Sequence, residues 1–293
     1  KGKGKGTAED SEKKHFADFS LWFFKTGAHQ NAQQTWRSPW GEGFPGWHIE
    51  CSVMTKELFG PTIDIHMGGV EHISIHHTNE IAQSESANGI KFVNYWLHNE
   101  HVTINGGKMA KSQGTGLSIK ELIEKSYDPL ALRYFFLTAH YRTRQNFSYE
   151  ALSDAQSALK KLRQLVFALK NQSSRSTLSS DKLDLLDQYR IKFHEAISND
   201  IQIPKALAIT WEMLKSNIPS SDKLDLLFQF DQVLGLRLNE VTEQKIPYEI
   251  LKLAEEREIA RKAKDFNKSD ELRKKIEELG YYIEDAQSGY KIK

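Results

Sequence analysis

An amphipathic helix pattern between residues 152 and 169 limits most strongly what this chain can fold into. Apolar residues recur there every three or four positions, at Leu152, Ala155, Leu159, Leu162, Val166 and Leu169. This spacing gives a helix one apolar stripe that must pack against a neighbour. Because IKFHEAISND, IPKALAITWEMLKS and DKLDLLFQFDQVLGL continue the pattern, we predict a helical bundle over residues 151–245.

The segments before the bundle have a different pattern. Residues 1–15 are rich in lysine, glycine and acidic residues, which predicts disorder or a surface loop. TIDIHM and HVTING alternate with the period of a strand, and NEIAQSESANG predicts a helix that ends at Gly89. Glycine and proline separate these short segments, which favours an α/β fold over long helices.

A third pattern begins near residue 246. EILKLAEEREIARKAKDFNKSDELRKKIEELG predicts a pair of charged helices, and YYIEDAQSGYKIK predicts a hairpin after them. Residues 246–293 are therefore expected to form a small C-terminal α/β piece.

Composition excludes several classes of protein. With 39% hydrophobic and 27% charged residues, the 293-residue chain has the composition of a soluble globular protein. The net charge of +1 means that a nucleic acid would have to bind a local basic face. A single cysteine excludes an internal disulfide and favours a reducing, cytoplasmic location. No apolar run is long enough to span a membrane, and nothing requires more than a monomer.

Histidines are concentrated near the single cysteine. Seven of the 11 histidines lie between residues 48 and 101, a range that also contains Cys51. His76 and Glu80 are four residues apart, so on a helix they share one face, whereas His77 points elsewhere. Thiolate, imidazole and carboxylate are the ligands that zinc prefers. The alternative is a cysteine buried as a small apolar residue among structural histidines, and spacing leaves both open.

A lysine pair lies in the glycine-flanked segment NGGKMAKSQG, residues 105–114. Two ammonium groups three residues apart, Lys108 and Lys111, can bind a phosphate chain. An exposed basic hairpin is the alternative. The glycine spacing of a P-loop is absent.

Several motifs together resemble one family. SPWGEGFPGWHIECS, DIHMGGVEHISIHHTNEIAQSE, GGKMAKSQG, ALRYFFLTAHYR, NDIQIPKAL and REIARKAKDFNKSDELRKKI follow the order seen in cysteinyl-tRNA synthetases, which are class I aminoacyl-tRNA synthetases. The resemblance covers nearly all of the chain after residue 15. KMAKS is similar to the KMSKS signature, with Ala110 in place of serine.

The resemblance implies a zinc site and a fold. Cys51, His76 and Glu80 match three of the family's four ligands for one zinc ion per chain. The fourth ligand is a cysteine near the HIGH signature, and neither occurs here. Residues 1–117 thus resemble the C-terminal half of a Rossmann-like class I catalytic domain, and the chain alone is expected to be inactive. Residues 118–150 match the connecting helical region that contacts the tRNA stem.

The resemblance also implies substrate contacts. Cysteine would lie against Trp47, His66 and His77, although a core tryptophan is an alternative for Trp47. The residues expected to bind ATP, with Mg²⁺, are Gly68, Gly69, Lys108, Met109, Lys111 and Ser112. Lys108 and Lys111 are also the expected catalytic residues. Val70 and Glu71 replace a glycine and an aspartate of the family pattern, which bears on the adenosine contacts.

The function implied is that of a cysteine–tRNA ligase. Such an enzyme activates cysteine with ATP and transfers it to tRNA(Cys), with the bundle at 151–245 binding the anticodon region. Zinc favours the cysteine thiolate over the hydroxyl of serine. Two alternatives are a mycothiol-type ligase that joins cysteine to an amino sugar and a non-catalytic tRNA-binding half-synthetase. The basic stretch REIARKAKDFNKSDELRKK favours a tRNA enzyme over the sugar ligase.

Overall fold

The computed structural model describes residues 13–15, 17–104, 106–108, 118–172, 177–242, 248–279, 281–286 and 289–292. The chain divides into two compact units, residues 1–238 and 239–293. The functional boundaries expected at residues 117, 150 and 245 stay predictions. No helix among the described residues is long and apolar enough to cross a membrane.

The first unit begins with an antiparallel sheet. Its strands are β1 (Trp22–Phe24), β2 (Trp36–Ser38) and β3 (Gly41–Pro45), with β3 in the middle. Helix α1 (Trp47–Phe59) follows this sheet. After it comes a β-α-β segment of β4 (Ile63–Gly69), α2 (His76–Asn88) and β5 (Val93–Asn99). Strands β4 and β5 are parallel, and α2 is the connection between them.

Glycines lie at the ends of the two helices of this region. Gly89 follows α2 with a left-handed φ of 70°, and its N–H donates to the carbonyl of Glu85 at 2.8 Å. The predicted helix ending at Gly89 is therefore confirmed. Helix α1, between Gly46 and Gly60, is 13 residues long and was not predicted. The glycines and prolines near this segment led to a prediction of loops. In the structure Gly46 and Gly60 lie at the two ends of the helix and do not interrupt it.

A second small sheet connects the α/β part to the helices. Strand β6 (Val102–Ile104) lies between β7 (Gly107–Lys108) and β8 (Gln145–Phe147). It pairs antiparallel with β7 and parallel with β8. The segment between β7 and β8 contains α3 (Ile119–Glu124) and α4 (Pro129–Leu137), which begin at the capping residues Ser118 and Asp128.

The bundle predicted from periodicity is present. It comprises α5 (Tyr149–Lys170), α6 (Ser180–Ser198), α7 (Ile203–Lys215) and α8 (Ser220–Leu234). Ser148 caps α5 through a hydrogen bond from the N–H of Ala151. The stripe of α5 is buried from Leu152 to Val166, whereas Leu169 is half-buried. Phe193 and Phe230 stack between α6 and α8 with their ring centroids 3.9 Å apart.

The turn between α6 and α7 has an unusual backbone. Asp200 and Ile201 adopt positive φ angles of 55° and 53°, a region that costs a β-branched side chain most. Hydrogen bonds hold the turn: His140 Nε2 donates to the carbonyl of Asp200 at 2.7 Å, and Tyr141 and Arg142 donate to its Oδ1 at 2.7 and 3.0 Å. The turn is thereby fixed to the loop after α4.

Replacing Asp200 with alanine is expected to lower the free energy of unfolding by about 2 kcal/mol, because the acceptor of Tyr141 and Arg142 is lost and alanine tolerates positive φ poorly. Asp200→Asn should cost about half as much, since asparagine accepts this backbone. The measurement is urea unfolding. Asp187→Ala, which removes an exposed partner of Arg190, is the control, and an equal cost for Asp187→Ala and Asp200→Ala would contradict the prediction.

The second unit contains α9 (Tyr248–Lys262), α10 (Phe266–Glu278) and the antiparallel pair β9 (Ile283–Ala286) and β10 (Gly289–Ile292). The predicted helix pair is present, and an antiparallel strand pair follows it where the hairpin was predicted, with residues 287–288 outside the described residues. The core of this second unit is formed by Ile250, Ala254, Ile276 and Ile283. Arg257, 2% exposed, donates to Asp285 at 2.9 Å and so ties α9 to the hairpin.

Candidate metal centre

The three donors expected from the sequence lie together. Cys51 is on α1, and His76 and Glu80 are one turn apart on α2. One donor atom from each, the thiol sulfur, an imidazole nitrogen and a carboxylate oxygen, lies within 4.8 Å of the other two. The packing of α1 against α2 therefore brings three residues of zinc-ligand type to one point.

Glu80 is the centre of this cluster. It is 0% exposed, and its Oε2 lies 2.8 Å from His66 Nε2. Its Oε1 lies 2.9 Å from His76 Nε2 but makes no hydrogen bond of acceptable geometry. A buried carboxylate oxygen without a hydrogen bond is costly unless a cation or another donor satisfies it. This orphaned oxygen, beside a thiol and an imidazole, fits a zinc ion.

The electrostatics of the cluster also favour a bound cation. Burial raises the pKa of the Cys51 thiol, and the negative charge of Glu80 raises it further. Burial also acts to raise the pKa of Glu80, but the hydrogen bond from His66 and the charges of His66 and His76 outweigh it, so the net pKa is lowered. Glu80 is thus an anion at neutral pH, and a cation bound beside it would favour the thiolate of Cys51.

Further histidines surround the donors. His48 Nδ1 lies 2.7 Å from His76 Nδ1, so one ring donates to the other and the Nε2 of His76 is left towards Glu80. His77 Nδ1 lies 2.7 Å from His98 Nε2 in the same way. Burial, followed by the charge of His66, lowers the pKa of His77 to about 4. His77 is therefore neutral near pH 7.

A second donor group shares Glu80. His66, His77 and Glu80 also place one donor atom each within 4.8 Å of the others. The two expected substrate residues therefore lie directly beside the metal donors, with Oε1 of Glu80 next to His76 and Oε2 next to His66.

Trp47 opens α1 at the rim of the cluster. Trp47 is 65% exposed in this structure, so it is not part of the core of the described residues, and its role stays a prediction. Its ring centroid lies 5.1 Å from that of His76 and 6.5 Å from that of His48, onto which it stacks. The ring thus forms an exposed apolar wall next to a zinc-type donor.

Gly68 and Gly69 end β4 close to other side chains. A Cβ at Gly68 would lie 2.5 Å from His77 Cε1, and one at Gly69 would lie 2.2 Å from Glu71 Oε2. At Gly68 the ring of buried His77 leaves no room for a Cβ, whereas at Gly69 the exposed carboxylate of Glu71 could move aside. In this structure the space at the two glycines is taken by His77 and Glu71, and their expected contact with adenosine stays a prediction.

The lysine loop, residues 105–114, is described only at Gly106, Gly107 and Lys108. Lys108 ends β7. Met109, Ala110, Lys111 and Ser112 lie outside the described residues. The sheet places the start of this loop next to β6, which directly follows the end of β5 in the chain.

Sequence reasoning missed four members of the cluster: His48, His72, His98 and Trp96. Ring contacts join them to the predicted residues, with His72 5.2 Å from His76, and Trp96 4.8 Å from His77 between centroids. The concentration of histidines between residues 48 and 101 was the available signal. It did not identify partners, because His98 meets His77 only through the pairing of β5 with β4.

Comparisons with known proteins identify the family to which this chain belongs. A LeuRS from Agrobacterium radiobacter, solved in a ternary complex with tRNA and LeuAMS, superposes with a TM-score of 0.51 at 13% identity over 71% of this chain and 33% of that chain. This likeness shows the fold alone. Residues 2–157 match the family described as tRNA synthetases class I (C) catalytic domain. The chain belongs to this family of class I aminoacyl-tRNA synthetases.

Curated relatives narrow the class further. The cysteine–tRNA ligase of Chlamydia felis is 40% identical over 98% of this chain and 62% of its own length. That of Caldicellulosiruptor saccharolyticus is 42% identical over 97% and 63%, and that of Methanosarcina mazei is 37% identical over 97% and 63%. The chain therefore spans less than two thirds of the length of these relatives.

Proposed function

We propose that this chain is the part of a cysteine–tRNA ligase that holds the zinc and the substrate thiol. The observation that carries the proposal is the donor cluster: Cys51, His76 and Glu80 lie within 4.8 Å, and a buried Glu80 oxygen lacks a hydrogen bond. The similarity to proteins named cysteine–tRNA ligase supports the same reading. The reaction is activation of cysteine with ATP and transfer to tRNA(Cys).

Each residue of the cluster has a role in this proposal. A zinc ion at Cys51, His76 and Glu80 would supply an open position for a substrate thiolate, which serine cannot match. His48 orients His76 from behind. His66 holds Oε2 of Glu80, so the carboxylate cannot rotate away from the metal side. Trp47 gives the small side chain of cysteine an apolar wall.

His77 has a separate role on the substrate side. Its low pKa keeps the ring uncharged near neutral pH. A neutral imidazole can hydrogen-bond the amino acid without repelling its ammonium group. The contact with His98 couples the tautomers of the two rings, since one nitrogen of the pair must donate to the other.

The remaining contacts are proposed from the family pattern. Gly68, Gly69, Met109 and Ser112 would contact ATP, and Lys108 and Lys111 would stabilise the charge that develops on the pyrophosphate, together with Mg²⁺. Residues 118–150 would contact the tRNA stem, and the bundle and C-terminal piece would bind the anticodon arm. A cytoplasmic monomer remains the expectation.

The test is the metal-dependent discrimination between cysteine and serine. Calorimetric titration of the zinc-loaded chain is expected to show cysteine binding at least about 100-fold more tightly than serine, because only the thiolate bonds strongly to zinc. Removing zinc with a chelator should abolish the difference. Cys51→Ser should behave like the chelated chain, and Met54→Ser, an exposed change on the same helix, should behave like the unaltered one. Equal binding of both amino acids by the zinc-loaded chain would overturn the proposal.

A further inference from the structure

Both carboxylate oxygens of Glu80 lie next to imidazole nitrogens. Oε1 is 2.9 Å from His76 Nε2, and Oε2 is 2.8 Å from His66 Nε2. His66 on β4 and His77 on α2 each place one nitrogen within 4.8 Å of a Glu80 oxygen and of each other. This second group of donors contains no thiol, and it uses neither Cys51 nor His76.

His77 has one nitrogen available for a ligand. The residue is 4% exposed, and its Nδ1 lies 2.7 Å from His98 Nε2. Its Nε2 makes no hydrogen bond among the described residues. When Nδ1 donates to His98, the lone pair of His77 is on Nε2, which is the form of imidazole that binds a metal. A histidine whose other nitrogen donates to a neighbour is the usual arrangement at metal sites.

A third imidazole lies at the same place. A Cβ at Gly68 would lie 2.8 Å from His77 Nε2 and 2.9 Å from His72 Nδ1, so both nitrogens are next to one point beside β4. The ring centroids of His72 and His77 are 5.2 Å apart. His72 is therefore an additional candidate ligand. Imidazoles together with a carboxylate suit divalent transition metals such as zinc, nickel and iron.

The buried carboxylate favours a cation on each side. Glu80 is 0% exposed, and its two oxygens lie next to different imidazoles. A buried anion is costly unless positive charge or hydrogen bonds compensate it, and one carboxylate can serve two metal ions. In this structure a hydrogen bond with His66 satisfies Oε2. A metal ion would replace that hydrogen bond with two metal–ligand bonds, one from His66 and one from Glu80.

We propose that this chain binds a second divalent transition-metal ion at His66, His77 and Glu80, with Glu80 bridging it to the zinc at Cys51 and His76. The second ion has no thiolate ligand and shares its carboxylate, so it binds more weakly than the first and is gained from solution rather than retained during purification. The site shares Glu80 with the zinc centre of the proposed function, and separate signals test the two.

The alternative is a single ion that uses one donor group or the other, because both contain Glu80. Titration of the metal-free chain with cobalt(II), a coloured substitute for zinc, distinguishes the two cases. Total binding by equilibrium dialysis is expected to reach about two equivalents per chain, whereas the thiolate-to-cobalt charge-transfer band of Cys51 should saturate at about one. Saturation of total binding at about one equivalent would overturn the proposal. If about two equivalents bind without the band, the second site stands and the thiolate ligand of the proposed function fails.

Variants assign each ion to its donors. His77→Gln is expected to reduce binding to about one equivalent and to leave the charge-transfer band unchanged, because the donors around Cys51 remain. Cys51→Ser should lose the band and still bind about one equivalent. The control is His194→Gln, which alters an exposed histidine on α6 and should keep both ions.

Circular dichroism establishes that each variant is folded. A folded His77→Gln that still binds about two equivalents, or that loses the charge-transfer band together with the second ion, would contradict a separate site. If His77→Gln does not fold, the number of ions bound by the unaltered chain decides.

Discussion

Replacing Glu80 with glutamine is expected to reduce the zinc bound per chain from near one equivalent to near zero. The carboxylate is fully buried and lies between His76 and His66. Glutamine keeps the shape but removes the negative charge, so the affinity for zinc should fall at least about 100-fold. Mass spectrometry of metal content, on protein purified without chelator, measures the effect.

Two further variants make this result specific. Cys51→Ser removes the thiolate and should lose zinc in the same way, whereas Glu57→Gln changes an exposed carboxylate on the same helix as Cys51 and should retain it. Circular dichroism would verify that each variant is folded. Full zinc content in folded Glu80→Gln would show that Glu80 is not a ligand, and the metal centre would have to be assigned to other residues.

Acidification from pH 6.5 to about pH 4 is expected to destabilise the metal-free chain steeply. Burial and the charge of His66 lower the pKa of His77 from 6.5 to about 4. The unfolded chain therefore binds a proton in this window that the folded chain does not, and the stability is lost as the pH falls. Each such proton contributes about 1.4 kcal/mol per pH unit to the slope of the unfolding free energy. Burial lowers the pKa values of His48 and His76 as well, which adds to the slope.

The effect is measured by urea unfolding at a series of pH values. His77→Gln should reduce the slope between pH 4 and 6.5 by about one proton, whatever its effect on stability at neutral pH. His29→Gln, which alters an exposed histidine outside the cluster, should leave the slope unchanged. An unaltered slope in His77→Gln would contradict the prediction.

Local patterns were enough to predict much of the secondary structure. The stripe from Leu152 to Val166 and the cap at Gly89 depend on residues close in sequence, and both are confirmed. Helix α1 escaped prediction because its sequence has little amphipathic pattern, with Ser52 its buried residue. Its position depends on packing against α2, which no local pattern encodes.

The candidate site was predictable only in part. Residue types and the four-residue spacing suggested Cys51, His76 and Glu80 as candidates, the resemblance implied that they form one ligand set, and the structure places them together. Their role as zinc ligands stays a proposal. The contact of His77 with His98 depends on strand register, and the orphaned oxygen of Glu80 depends on side-chain geometry. Neither can be derived from sequence spacing.

The sheet formed by β7, β6 and β8 has a mechanical consequence. Strand β6 is bonded on one side to the start of the lysine loop and on the other to β8, which runs straight into Ser148 and helix α5. A displacement of α5 along its axis must therefore either drag β6 with it or break the pairs between Val102–Ile104 and Gln145–Phe147. The three hydrogen-bonded strands thus couple the position of α5 to that of Lys108 in the lysine loop.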